Sequence, residues 1–234
     1  MGPHIVSAFD DELIAIQAKI SEMGGLTEEL LSHALEAVEM RDADLAREVI
    51  ARDKRLDRLE YEVEELTVRV LALRQPVAQD LRFLVAALKM SSTLERIGDL
   101  AKNIAKRGIH LAEVKPVKIA SSIVRMGQQA LQQLTEVLDA VTSRDTPLAV
   151  AVWRKDVELD EMYNSLFREV VTYMMEDPRM IGIGSQFLFI AKNLERIGDH
   201  TTHIAELVYY VVEGEPLGDE RPKGEPISVD GVIS

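Results

Sequence analysis

The chain contains no cysteine. Disulfides, iron–sulfur clusters and thiolate zinc sites are therefore excluded. Aromatic residues make up only 5% of its 234 residues, and glycine (13) and proline (8) are scarce. So few ring side chains and turn formers argue against a β-sandwich or barrel. Basic residues are few as well, 27 against 40 acids, for a net charge of −13. Binding to nucleic acid needs a basic face that replaces phosphate counterions, which this balance disfavours. Divalent cations or basic partners suit it better. No apolar run approaches the roughly 18 residues of a membrane span. Met1 to Asp10 lacks the basic-then-apolar order of a signal peptide. These absences lead to the expectation of a soluble, cytoplasmic protein that is not integral to a membrane and binds no nucleic acid.

What is present is helical. Apolar residues make up 47% of the chain, enough for a sizeable core, and good helix formers are abundant. The hexapeptide Leu94-Glu95-Arg96-Ile97-Gly98-Asp99 returns one hundred positions later as Leu194-Glu195-Arg196-Ile197-Gly198-Asp199. That period is too long for a solenoid and fits a duplicated small domain. Apolar residues keep the three-and-four spacing of bundled helices. They run Phe9, Leu13, Ile16, Ile20, Met23, Leu30, Ala34; then Leu56, Leu59, Val63, Leu66, Val70, Leu73; then Ala87, Met90, Leu94, Ile97, Ala101, Ile104. The pattern restarts at Ile119, Ile123, Met126, Ala130, Leu134, Val137, continues through Leu159, Leu166, Val170, Tyr173, and ends with Phe187, Ile190, Leu194, Ile197, Thr201, Ile204, Val208.

Breaks are expected near Arg41 to Asp44, at Gln75-Pro76, at Lys115-Pro116, near Ser143 to Pro147, and at Asp177-Pro178 with Gly182 and Gly184 following. Proline biases its predecessor away from helix, and Asp145 or Thr146 is suited to cap a helix with Pro147 in its first turn. The expected fold is all-α: two tandem, pseudo-symmetric three-helix bundles of long antiparallel helices, about thirty residues each, against the usual three to four turns. The first bundle spans 1–113 and the second 116–213. Residues 214–234, rich in Gly, Pro and charge, read as a disordered acidic tail.

The chemistry lies in acids four apart, which share a helix face. Asp53 and Asp57 precede Gln75 by 22 and 18 residues; Glu95 and Asp99 follow it by 20 and 24. At about 1.5 Å per residue, an antiparallel hairpin brings all four to one level. Around Asp177 the pattern repeats, with Asp156 and Asp160 at 21 and 17 before, and Glu195 and Asp199 at 18 and 22 after. Like charges so placed repel, by a few tenths of a kcal/mol per pair on one helix. Three compensations are open: the adjacent Arg96 and Arg196, protonation, or bound cations. Oxygen-rich sites favour magnesium, manganese, iron or zinc. One turn beyond lie Asn103 in the first set and His203 in the second; both can ligate, and His203 tilts the second set toward a transition metal. Gly98 and Gly198 each cost about 1 kcal/mol inside a helix, which points to close approach of a neighbouring helix or a ligand. Glu60, Glu62, Glu64 and Glu65 read as charged surface.

The run Pro76-Val77-Ala78-Gln79-Asp80-Leu81-Arg82, the first hexapeptide with Asn103-Ile104-Ala105, and the second with His200 and His203-Ile204-Ala205-Glu206 resemble the PhoU family over roughly Phe9 to Glu213. The resemblance implies two symmetric three-helix bundles and a non-enzymatic cytoplasmic regulator of phosphate homeostasis. Such a protein negatively regulates uptake by a Pst-type phosphate ABC transporter, through its ATPase, and phosphate-starvation signalling through a membrane sensor histidine kinase. The resemblance also implies multinuclear metal clusters on Glu/Asp-x-x-x-Asp motifs, and a homodimer. Carried over, the metal residues are Asp53, Asp57, Glu95, Asp99 and Asn103, then Asp156, Asp160, Glu195, Asp199 and His203. Asp80 and Arg82, whose charges have no counterpart near Met180 to Ile183, are the expected partner-docking pair. Two other functions compete. One is a metal-free structural interaction protein in which Arg96 and Arg196 neutralise the acids. The other is a carboxylate-bridged di-metal enzyme, disfavoured because no Glu-x-x-His is present.

Overall fold

A computed structural model describes residues 3–115 and 117–218. Every regular element among them is helical: α1 (Pro3–Met40), α2 (Ala43–Arg74), α3 (Ala78–Ala112), α4 (Ile119–Ser143), α5 (Thr146–Arg154), α6 (Asp156–Glu176) and α7 (Ile181–Glu213), with a 3₁₀ turn at Pro178–Met180. No helix among the described residues is long and apolar enough to cross a membrane.

The helix ends follow from local chemistry. Asp42 accepts hydrogen bonds from the N–H groups of Asp44 and Leu45 at 2.9 and 3.0 Å and starts α2. Gln75 enters the left-handed region (φ 48°) and stops it ahead of Pro76. Asp145 caps α5 by accepting from the Leu148 N–H at 2.9 Å, with Pro147 in the first turn. Gly214, at φ 85°, closes α7. Gly182 and Gly184 do not extend the last break; both lie within α7, and Gly184 packs against Met174 and Val170. Pro116 and residues 219–234, which include most of the expected tail, fall outside the described residues. Of the tail's first residues, Leu217 packs against the core.

The expected apolar stripes are buried almost throughout, each large side chain contributing about 1.5–3 kcal/mol. Leu73 is the exception: it is exposed, in the last turn of α2. Helices α1 to α3 pack together, as do α4 to α7, and the halves join along α1 with α4 and α3 with α7. One apolar core runs through both. The junction is pseudo-symmetric. Leu138 fills the space beside Gly24, and Leu35 fills the space beside Gly127. These are repeat-equivalent pairs, so each half inserts the same leucine over the other's glycine.

Helices α3 and α7 run antiparallel. Arg107 lies over the Phe189 ring at 4.7 Å, and the Arg82 guanidinium packs against Gly214. Between these contacts the two hexapeptides cross. A second buried row on α3, of Ala86, Thr93 and Leu100, accompanies the core stripe and accounts for a helix covered on two sides.

One expectation is corrected. The fifth rod is not continuous but parts at Lys155 into α5 and α6. Gln133, fully buried on α4, donates from Nε2 to the Lys155 carbonyl at 3.0 Å. That carbonyl also accepts from the Glu158 N–H three residues on, at 3.1 Å. A side chain inserted into the backbone ladder is an established cause of a helix break. The repeat-equivalent of Gln133 is Leu30, which has no donor, and α2 runs on without interruption.

Candidate functional site

Helices α2 and α3 meet at a glycine. A Cβ at Gly98 would strike Leu56, which is fully buried, and would lie 3.7 Å from Asp53 Oδ1. The missing side chain lets the helices close and draws Asp53 under α3, where only 3% of its surface is exposed. The second half repeats this. Gly198 faces Leu159, and its Cβ position lies 3.5 Å from Asp156 Oδ1; Asp156 is likewise buried. Each hexapeptide glycine therefore marks the contact with a neighbouring helix and the depth at which an aspartate is held.

The first cluster gathers Asp53, Asp57, Glu95 and Asp99. Burial, then the charges of Asp99, Glu60 and Asp57, push Glu95 up from 4.5 to about 7. Glu60, half-buried on α2, thus lies within electrostatic reach of Glu95. Burial outweighs the attraction of Lys102 and also raises Asp53. The Lys102 ammonium donates to Asp53 Oδ2 at 2.5 Å and to Asp99 Oδ1 at 2.6 Å. Burial opposes its charge, yet these two bonds hold Lys102 well above the ordinary lysine range. Asn103 stands at the margin, its Oδ1 3.5 Å from Lys106 Nζ.

The second cluster gathers Asp156, Asp160, Glu195 and Asp199. Burial raises Glu195 most; Lys192 opposes this, and Asp199 and Asp160 add to it. Lys192 Nζ lies 2.7 Å from the Glu195 carboxylate. The break at Lys155 puts Asp156 in the first turn of α6, where the helix dipole favours a negative charge. His203 is exposed, with Nδ1 3.4 Å from Glu206 Oε2 one turn further on.

Lys102 thus meets Asp53 and Asp99, and Lys192 meets Glu195. Arg96 and Arg196 are exposed. They lie toward His200, which burial first, and then Arg196 and Arg96, hold below the ordinary imidazole range. Of the expected docking pair, Asp80 lies beside a 250 Å³ cleft lined also by Asp10, Gln17, Phe83 and Arg144. Arg82 turns inward onto Gly214, its Nε buried without a hydrogen-bond partner.

The donor set of the first cluster fits a hard cation. Its donors are all oxygen, Asp53 Oδ1 is buried with no hydrogen-bond partner, and an ammonium already sits between Asp53 and Asp99. As the side chains stand, no three acidic or imidazole groups among the described residues converge on one point. A held ion would require Lys102 to swing out and the carboxylates to turn. Lys102 and Lys192 are the residues that reading from spacing misses. A lysine three positions from an acid reads as exposed helix surface; the signal available was that Lys102 breaks the repeat, with Thr202 at its equivalent.

The family model for the PhoU domain matches residues 20–108 and again 123–208. A "phosphate-specific transport system accessory protein PhoU homolog" from Caulobacter vibrioides is 48% identical over 229 residues, covering 97% of this chain and 100% of the relative. The "phosphate-specific transport system accessory protein PhoU" of Escherichia coli is 37% identical over 227 residues, covering 95% and 94%. The crystal structure of PhoU from Pseudomonas aeruginosa superposes with a TM-score of 0.86 at 39% identity, covering 88% of this chain and all of that one.

Proposed function

Because the chain belongs to the PhoU family, we propose that it is a non-enzymatic, cytoplasmic regulator of phosphate homeostasis. It restrains phosphate uptake by contact with the ATPase of a Pst-type transporter, and it keeps a membrane sensor histidine kinase off when phosphate is plentiful. It acts as a homodimer. The observation that carries the reading is end-to-end similarity to proteins named as accessories of phosphate-specific transport.

The two acidic clusters serve as cation sites that set the shape of the faces offered to these partners. Asp53, Asp57, Glu95 and Asp99, with Glu60 and Asn103 at the edge, would hold ions in the first. Asp156, Asp160, Glu195 and Asp199, with His203, would hold them in the second. A bound divalent ion would supply charge neutralisation and cross-link neighbouring helices; no bond is made or broken. The buried, unpartnered Asp53 Oδ1 supports this reading.

The test is complementation. A strain lacking its own copy is given the parent chain or Glu95→Ala with Asp99→Ala, and phosphate uptake and bound metal are measured. The parent should restrain uptake, and the double variant should lose metal without unfolding. Uptake unaffected by the parent would overturn the regulatory reading.

The lysine pairs favour a second reading, a metal-free interaction protein. Thermal unfolding with and without chelator separates the two, because an ion that binds only the folded chain raises its stability.

A further inference from the structure

The two clusters differ at one position that the hexapeptide repeat makes directly comparable. Three residues beyond Asp99 stands Lys102; three beyond Asp199 stands Thr202. The Lys102 ammonium bridges α2 and α3, 2.5 Å from Asp53 Oδ2 and 2.6 Å from Asp99 Oδ1. The Lys102 side chain is 23% exposed and that of Asp53 only 4%, so water screens the pair weakly. Thr202 brings no charge. It is fully buried, and its hydroxyl donates to the carbonyls of Gly198 and Asp199 on its own helix, at 3.2 and 2.8 Å. The second cluster's lysine, Lys192, reaches Glu195 from the preceding turn and is 49% exposed. Besides this ion pair it lies over the Tyr163 ring of α6, 5.3 Å from the centroid, at the water-exposed edge of the cluster.

We propose that Lys102 takes the place of a divalent ion in the first cluster, so that this cluster holds fewer ions, or holds them more weakly, than the second. The inference rests on reading both clusters as cation sites. An ammonium and a metal ion cannot share Asp53 Oδ2 and Asp99 Oδ1. The ammonium is tethered, so it is present at high effective concentration without the entropy loss that a free ion suffers on binding. An incoming ion must break two charge-assisted hydrogen bonds. Asp57, Glu60 and Glu95, which lie beyond those bonds, remain the negative side of the first cluster. In the second cluster, Thr202 sets up no such competition. The duplication thus yields one face bridged by Lys102 and one whose equivalent position, Thr202, supplies no ammonium.

The test uses the full chain with manganese as the probe. Three forms are compared: parent, Lys102→Met and Thr202→Lys. Bound manganese is measured by elemental analysis after gel filtration, and unfolding is measured with chelator and with excess manganese. Lys102→Met should carry more manganese than the parent. It should melt lower than the parent in chelator and recover when manganese is added. Thr202→Lys should carry less manganese than the parent. If Lys102→Met does not fold in chelator, the Thr202→Lys comparison stands alone. Manganese bound by the parent but unchanged in both variants would overturn the inference. No manganese in any form would overturn the underlying reading of the clusters as cation sites.

Discussion

Gln133 Nε2 holds the Lys155 carbonyl at 3.0 Å, and the helix parts at that residue into α5 and α6. One buried amide on α4 therefore decides where Asp156 starts a new helix. The Gln133 Oε1 atom is itself buried without a hydrogen-bond partner, which carries a desolvation cost of about 1–3 kcal/mol. Replacing Gln133 with leucine, the residue at the equivalent position of the first half, removes the donor and that unpaired atom together. Gln133→Leu should leave stability within about 1 kcal/mol of the parent. It should also join α5 to α6, seen as increased hydrogen-exchange protection of the amides from Lys155 to Leu159.

The glycines separate contact from conformational freedom. Gly98 faces fully buried Leu56, which has nowhere to withdraw. Overpacking there costs about 1–3 kcal/mol, against roughly 1 kcal/mol gained from helix propensity. Gly98→Ala should therefore lower stability. Gly25 has no atom within 4 Å of its Cβ position, and Gly25→Ala should raise stability by about 0.5–1 kcal/mol. Urea titration of both variants checks the two signs; a stabilised Gly98→Ala would show that the close approach of α2 and α3 is wrong.

In chelator, Glu95 should make the chain less stable as pH rises. Its folded-state pKa of about 7 lies above the ordinary 4.5, so the folded state binds the proton more tightly than the unfolded state does. The resulting stabilisation is fully present below pH 4.5 and is lost as pH rises through about 7. Raised Asp53 contributes in the same direction. Melting temperature should fall between pH 5 and pH 8 in the parent, and Glu95→Gln should flatten that fall. With metal the sign reverses, because the ion binds the ionised carboxylates and its affinity grows over the same range.

What the sequence made legible is what depends on spacing along one helix. The stripe from Ala87 to Ile104 is buried as its period requires, the break near Arg41 to Asp44 is there, and Asp145 caps α5 as a short polar side chain ahead of an apolar run. The hairpin counts around Gln75 and Asp177 bring the acids of neighbouring helices within electrostatic reach of one another. What depends on a third partner was not legible. The α3–α7 crossing uses small residues such as Ala86 and Thr93 that carry little hydrophobic signal. Lys102 has the same spacing from an acid as any exposed ion pair, and only the fold shows that Asp53 lies beneath it. Gln133 is a polar residue within the stripe from Ala130 to Val137, but nothing in its spacing ties it to Lys155, and the break there was not legible.

The most direct test of the central claim, that each duplicated acidic face is a cation site, is anomalous diffraction from crystals of the full chain grown with manganese. The account predicts peaks between α6 and α7 beside Asp160 and Glu195, and a weaker or smaller set between α2 and α3 beside Asp57 and Glu95. A map with no anomalous signal at either face, at saturating manganese, would contradict it.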